Sequence, residues 1–335
     1  MARISMEHGS GGSATSKLIN KIFEREFDNE ILSRMEDAAV LDLESGCGKI
    51  AMTTDSFVVT PLIFKGGDIG RLSVCGTVND LLMRGATPRY LTCGFVLEEG
   101  LEIDILERVV HSMAETAREA GVIIVAGDTK VVEGDGGLII NTTGLGFVPD
   151  GVDISVQNAA EGDVIIVSGN MGDHHAAILS ERMAIENDIE SDNAPLVEMV
   201  QGMIEAGIDI HVLRDVTRGG LATVMTEIAK AGDFRIELME NAIPVDIRTK
   251  DFCGILGLDP LYMGNEGKLV ALVPEDQGQK ALEIVKNSKY GEGATIIGNV
   301  LEKTEVGKGE LRLRTSIGGL RSLDILQGEG LPRIC

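Results

Sequence analysis

From residue 49 onward the chain alternates between two hydrophobic rhythms, and that alternation restricts it to folds that mix helices with sheets. Apolar residues alternate or run continuously, as in strands, over 50–60, 89–97, 122–126, 138–147 and 164–168. Between and after these runs they recur at helical spacing over 68–84, 103–120, 176–186, 194–206 and 221–231. Strands near 235–239, 268–273 and 295–301 then alternate with helices near 247–256 and 277–288. A length of 335 residues exceeds what one core usually encloses, and Pro149-Asp150-Gly151 turns the chain between the halves. Two α+β domains are expected, over 43–151 and 152–317, after an arm and short helix at 1–42 and before a mobile tail at 318–335. The strand-then-glycine runs Val122-Ile-Ile-Val-Ala-Gly-Asp128 and Val164-Ile-Ile-Val-Ser-Gly169 look alike, but one shared pattern is a weak sign of duplication.

Aromatic residues make up only 3% and Trp is absent, so the cores must be built from aliphatic side chains packed against 42 glycines. A net charge of −23 repels a phosphate backbone, which argues against nucleic acid or an anionic membrane as partner. The first residues lack the apolar stretch of a leader, and no run approaches the ~18–20 apolar residues of a membrane span. A cytoplasmic protein is expected. Five cysteines without a Cys-x-x-Cys pair argue against a disulfide framework or a zinc knuckle. Cys75 and Cys93 sit among apolar neighbours and read as buried small hydrophobes, whereas Cys335 has no packing reason. A thiol on a mobile tail can enter another active site, and ~15 extended residues reach on the order of 50 Å.

Aspartates recur where strands end or turns begin: Asp37, Asp55, Asp80, Asp128 and Asp215. Converging loop carboxylates are hard oxygen ligands suited to Mg2+, which binds nucleotide phosphates; each Asp is equally suited to capping a helix or turning a loop. His8-Gly-Ser-Gly-Gly-Ser13 can wrap phosphates with backbone N–H groups, or can be a flexible terminus. No Gly-x-x-x-x-Gly-Lys-Ser/Thr occurs, and Gly9-x-Gly11-x-x-Ala14 has no framing βαβ unit, so P-loop and Rossmann readings are rejected. His174 and His175 are adjacent and would point apart on a helix, a poor metal pair.

In order along the chain stand His8-Gly-Ser-Gly-Gly12, Asp37-Ala-Ala-Val40, Thr54-Asp-Ser56, Gly67-Asp-Ile-Gly70, Cys75-Gly-Thr-Val-Asn-Asp80 and Gly127-Asp-Thr-Lys130. Thr217-Arg-Gly-Gly220, Gly264-Asn-Glu-Gly267 and Pro332-Arg-Ile-Cys335 come after them. This ordered set closely resembles the HypE family of hydrogenase maturation proteins, within the aminoimidazole ribonucleotide synthetase and selenophosphate synthetase superfamily. The resemblance implies a two-domain aminoimidazole ribonucleotide synthetase-like α+β fold whose first domain pairs with its twin in a β-barrel-like homodimer interface. It also implies an enzyme that uses ATP to dehydrate a carboxamide on Cys335 to a thiocyanate, the source of the iron-bound cyanide in [NiFe]-hydrogenase.

By the same resemblance Asp37, Asp55, Asp80, Asp128 and Asp215 map onto the metal and nucleotide site, and the arm with His8, Gly9, Gly11 and Gly12 closes over phosphates. Gly127 lies in the same matched nucleotide motif, Asn79 and Thr129 help to hold metal or phosphate, and Arg218 binds a phosphate or the tail. Glu266 and Lys130 are the candidates for deprotonating or orienting the carboxamide nitrogen. The implied cofactors are ATP and Mg2+. The implied partners are a carbamoyl-transfer maturation protein (HypF-like) and an iron-holding maturation complex (HypC-HypD-like). Gly172-Asp-His-His175 departs from the family's Gly-Asp-His-Gly, which leaves Asp173, His174 and His175 unassigned. Two alternatives stand beside the dehydratase: a small-molecule ATP-dependent synthetase or kinase of the same superfamily, and a nucleotide-gated scaffold.

Overall fold

The computed structural model describes residues 3–5, 8, 17–29 and 47–325, which form two compact units. The first runs to Asp150 and the second begins at Gly151, with the short segment Leu82–Gly85 grouped with the second. Among the described residues no helix is long and apolar enough to cross a membrane.

The first unit is a four-stranded sheet in the order β1 (Cys47–Phe57), β6 (Leu138–Pro149), β4 (Thr87–Glu98), β5 (Ile123–Val132). The β1–β6 and β6–β4 pairs are antiparallel, and β4–β5 is parallel. A small hairpin, β2 (Ile63–Phe64) and β3 (Gly67–Asp68), leads into α1 (Ile69–Leu82). The parallel pair requires a crossover, and α2 (Ile103–Ala120) provides it. Its buried residues Leu106, Val109, Val110, Met113, Ala114, Ala117 and Ala120 recur at three and four, which is why the sequence reads so plainly as helix there. Gly144 of β6 lets α1 approach closely: a Cβ there would lie 2.7 Å from Thr77 Cγ2 and 2.9 Å from Leu81 Cδ1. The short helix expected in the arm is a π-helical segment, Ile19–Glu24, that buries Ile22 and Phe23.

Registers divide the sheet into two faces. Phe57, Ile140, Phe95, Leu91 and Cys93 are buried on one. The opposite face carries Ile50, Met52, Ile123, Val132 and Ile139, all more than a third exposed. A groove of about 510 Å³ runs along that face between Met52, Tyr90, Thr92, Asn141, Thr143 and Leu145.

The second unit is a seven-stranded sheet in the order β13-β12-β9-β11-β7-β10-β8. In chain order its elements are β7 (Val164–Val167), α3 (Asp173–Arg182), α4 (Val197–Glu205), β8 (Val212–Asp215), α5 (Gly220–Gly232) and β9 (Phe234–Met239). Then come α6 (Ile247–Leu256), β10 (Leu269–Val273), α7 (Glu275–Asn287), β11 (Thr295–Lys303), β12 (Glu310–Arg314) and β13 (Leu320–Leu323). Strands β7 and β10 are buried along their whole length, and α5 packs Leu221, Met225 and Ile228 into the main core beside Ile165, Val270 and Ile236.

The range expected as a mobile tail, 318–335, contains a strand. Strand β13 pairs antiparallel with β12 over Leu320–Leu323 and buries Leu323, a contact that four residues without periodicity could not signal. The rest of that range, 326–335, lies outside the described residues. Strand β5 is also longer than its apolar run, because pairing with β4 continues from Gly127↔Cys93 to Val132↔Glu98 whatever the side chains are. The two similar strand-then-glycine runs occupy unlike places: β5 is a parallel edge strand and β7 a central antiparallel one.

Candidate functional site

In the first unit the candidate residues sort by sheet face. Thr53 and Asp55 of β1 point to the helix-covered face, where Asp80 of α1 accepts a 2.8 Å hydrogen bond from the Thr53 hydroxyl. One helical turn earlier, a Cβ on Gly76 would come within 3.9 Å of Asp55 Oδ2. Asp55 and Asp80 therefore line one seam between β1 and α1, with Asn79 buried on the same helix. Their oxygens are the hard donor set that a divalent cation such as Mg2+ takes.

Asp128 lies on the opposite face. The chain of partners Asp55↔Thr142↔Cys93↔Gly127 gives Gly127, not Asp128, the face of Asp55. Asp128 instead bonds the Lys130 ammonium at 2.8 Å and the Thr129 backbone N–H at 2.9 Å. The Lys130 hydrogen bond holds the Asp128 carboxyl below the usual carboxylate range, so it is charged at neutral pH. In the arm, His8 Nδ1 accepts the Ser5 backbone N–H at 3.1 Å. Gly9, Gly11, Gly12, Asp37 and Cys335 lie outside the described residues. Among the described residues no three His, Cys, Asp or Glu side chains cluster to hold a metal.

In the second unit two motifs meet at one end of β8 and β10. Asp215 pairs with Leu269, Val216 donates to the Lys268 carbonyl at 2.9 Å, and Asn265 donates back to the Val216 carbonyl at 2.9 Å. The Thr217-Arg-Gly-Gly220 and Gly264-Asn-Glu-Gly267 loops are thus neighbours, which brings Asp215, the exposed Arg218 and Glu266 to one end of the sheet. His175 joins them through its backbone N–H, 3.1 Å from the Gly264 carbonyl.

Two residues that drew no attention in the sequence organise this end. Asp192 accepts the Asn265 amide at 2.7 Å and the Glu266 backbone N–H at 3.0 Å, and Lys268 Nζ lies 3.4 Å from its carboxylate. Asp192 stands in Ser191-Asp192-Asn193, a string that reads as an ordinary turn before α4, and Lys268 reads as the polar edge of a strand. Only their burial, at side-chain exposures of 6% and 11%, marks them. Asp173 and His174 open α3. Burial pushes the Asp173 carboxyl up to about 6 against a 2.7 Å bond from the Thr249 hydroxyl, and lowers His174 to about 4.

Models of the AIR synthase related proteins match the chain twice, the N-terminal domain over residues 35–148 and the C-terminal domain over 160–308. The carbamoyl dehydratase HypE of Cupriavidus necator is 48% identical, over 99% of this chain and 95% of its own length. The chain belongs to the HypE family. A solved HypE in complex with ATP is similar at a TM-score of 0.93 and 48% identity, covering 98% of this chain and 99% of that one. The HypE of a HypE–HypF complex is similar at a TM-score of 0.79 and 46% identity, covering 92% of this chain and 99% of that one. Membership of the HypE family fits the motif order and the fold of both units.

Proposed function

We propose that the protein is an ATP-dependent carbamoyl dehydratase of hydrogenase maturation, which converts a carboxamide on the Cys335 sulfur to a thiocyanate. The observation that carries this reading is the end-to-end identity with a protein named carbamoyl dehydratase HypE. The likeness to a HypE–ATP complex supports ATP as the co-substrate.

The chemistry balances. The amide oxygen bonds to the γ-phosphorus of ATP as ADP leaves; loss of that oxygen as phosphate, with removal of both N–H protons, closes the C≡N bond. A carboxamide oxygen is a poor leaving group, and phosphorylation makes it a good one. Asp55 and Asp80 are the residues we assign to Mg2+; Asp37 and Asp215 remain candidates on their motifs alone, and Asp128, on the other sheet face, holds Lys130 instead. When bound, Mg2+ neutralises charge on the transferring phosphoryl group. Glu266 and Lys130 act on the carboxamide nitrogen, with Lys130 positioned by Asp128. His8 with Gly9, Gly11 and Gly12, together with Asn79, Gly127, Thr129 and Arg218, contact the nucleotide.

The apolar open face of the first-unit sheet supports a homodimer through that face. The likeness to HypE in its complex with HypF supports a carbamoyl-transfer protein as the partner that loads Cys335. An iron-holding complex of the HypC-HypD kind would receive the cyanide.

Intact-mass analysis of the C-terminal peptide, after incubation with the carbamoylating partner and ATP, tests the reading. Gain of one carboxamide followed by loss of one water is expected, with ADP and phosphate formed alongside. Full cyanide delivery by Cys335→Ala would overturn it.

A further inference from the structure

The turn over 264–268 converges on a carboxylate supplied from another segment. Asp192 Oδ1 accepts the Glu266 backbone N–H at 3.0 Å, while Oδ2 accepts Asn265 Nδ2 at 2.7 Å and faces Lys268 Nζ at 3.4 Å. Asn265 passes the restraint on, donating to the Asn170 carbonyl at 3.1 Å and accepting the Gly172 N–H at 3.1 Å. The approach leaves no slack, because a Cβ on Gly267 would stand 1.9 Å from the Asp192 carbonyl oxygen.

Few side chains can fill this place. A carboxylate of this size presents acceptors on both oxygens, and both are used here by donors of the turn. An amide has one acceptor and one NH2 group, so Asn at 192 would turn an N–H toward either the Glu266 N–H or the Asn265 amide. The Lys268 ammonium offsets the cost of holding the carboxylate away from water.

We infer that Asp192 is a positioning residue, which fixes the backbone of Glu266 so that its side chain meets the carboxamide nitrogen; this rests on the role of Glu266 given under Proposed function. Small displacements of a group acting on a bound substrate cost large factors in rate, so a residue that never touches the substrate controls the chemistry.

The test uses the full chain, carbamoylated at Cys335 and mixed with ATP in single turnover, with loss of water followed by intact mass. Misfolding lowers the amplitude of such a reaction and leaves its first-order rate constant alone. For Asp192→Asn the rate constant is expected to fall about tenfold or more at unchanged amplitude, with half-saturation by ATP within about twofold of wild type. Should that variant not fold, Asp192→Asn with Lys268→Met removes both charges together and carries the same expectation. An unchanged rate constant in the folded variant, at any amplitude, overturns the positioning role. Glu266→Gln separates the two readings. If it is slow while Asp192→Asn is normal, the positioning role alone fails; if it is normal, the role of Glu266 fails and the inference with it.

Discussion

The Ser191 hydroxyl oxygen lies 2.7 Å from Nδ1 of His174, with both side chains buried. Ser191 Oγ also accepts the Asn193 backbone N–H at 3.2 Å and its side-chain Nδ2 at 2.9 Å, which occupies both lone pairs, so its own proton is directed to Nδ1 and His174 is assigned the neutral Nε2–H tautomer. Burial lowers the imidazole from its ordinary 6.5 to about 4. The unfolded chain therefore binds the proton first as pH falls, and stability present above 6.5 is lost on approach to 4. His174→Gln is expected to flatten that loss, read as denaturation midpoints between these two values. A wild-type acid slope in the variant would refute the assignment.

Asp173, one residue earlier, has the opposite dependence. Its folded carboxyl titrates at about 6 rather than 3.8, so the folded chain holds the extra proton between those values and stability declines as pH rises through them. Asparagine can still accept the Thr249 hydroxyl. Asp173→Asn should raise stability at pH near 8 by on the order of 2 kcal/mol and change little at pH near 4. Urea titrations at the two pH values decide it, and an equal effect at both would contradict it.

The β1–α1 seam should set the metal requirement. In Asp80→Asn the Thr53 hydroxyl keeps an acceptor, so the fold is expected to stand while the Mg2+ needed for half-maximal ATP turnover rises about tenfold or more. Asp55→Asn should act in the same direction, and the two together should depart from additivity, as neighbours in one site do. Wild-type Mg2+ dependence in both single variants would remove the seam from the metal site.

Met52 is 67% exposed on the open face of the first-unit sheet, and Ile139 37%. Lysine at both positions would put charge into the proposed dimer contact without touching the core. Light scattering at micromolar protein should then report a shift from dimer to monomer at an unchanged melting temperature. A dimer that survives both lysines would rule out this face as the interface.

The long periodic elements were legible in the sequence, α2 to the residue, because one face of each is buried and the spacing records it. Strands β8, β12 and β13, of four or five residues each, are too short for a period to register, and the last of these lies within the range expected as tail. At the sites, the motifs named Asp55 and Asp80 and the 217–220 and 264–267 loops singly, and only the strand and helix packing shows which of them are neighbours. They did not separate Asp128 from Asp55, since a sheet face depends on register, and a bulge between Leu91 and Thr92 resets it. Asp192 escaped because a buried carboxylate and a turn-forming one look identical as letters.

Strand β13 also fixes the point from which the chain runs to its C-terminus. Ten peptide steps run from Ile325 to Cys335, and a polypeptide of that length spans at most about 35 Å in any conformation. On the proposed reading, a protein that loads the Cys335 sulfur must bring its own reacting centre within that distance of Ile325.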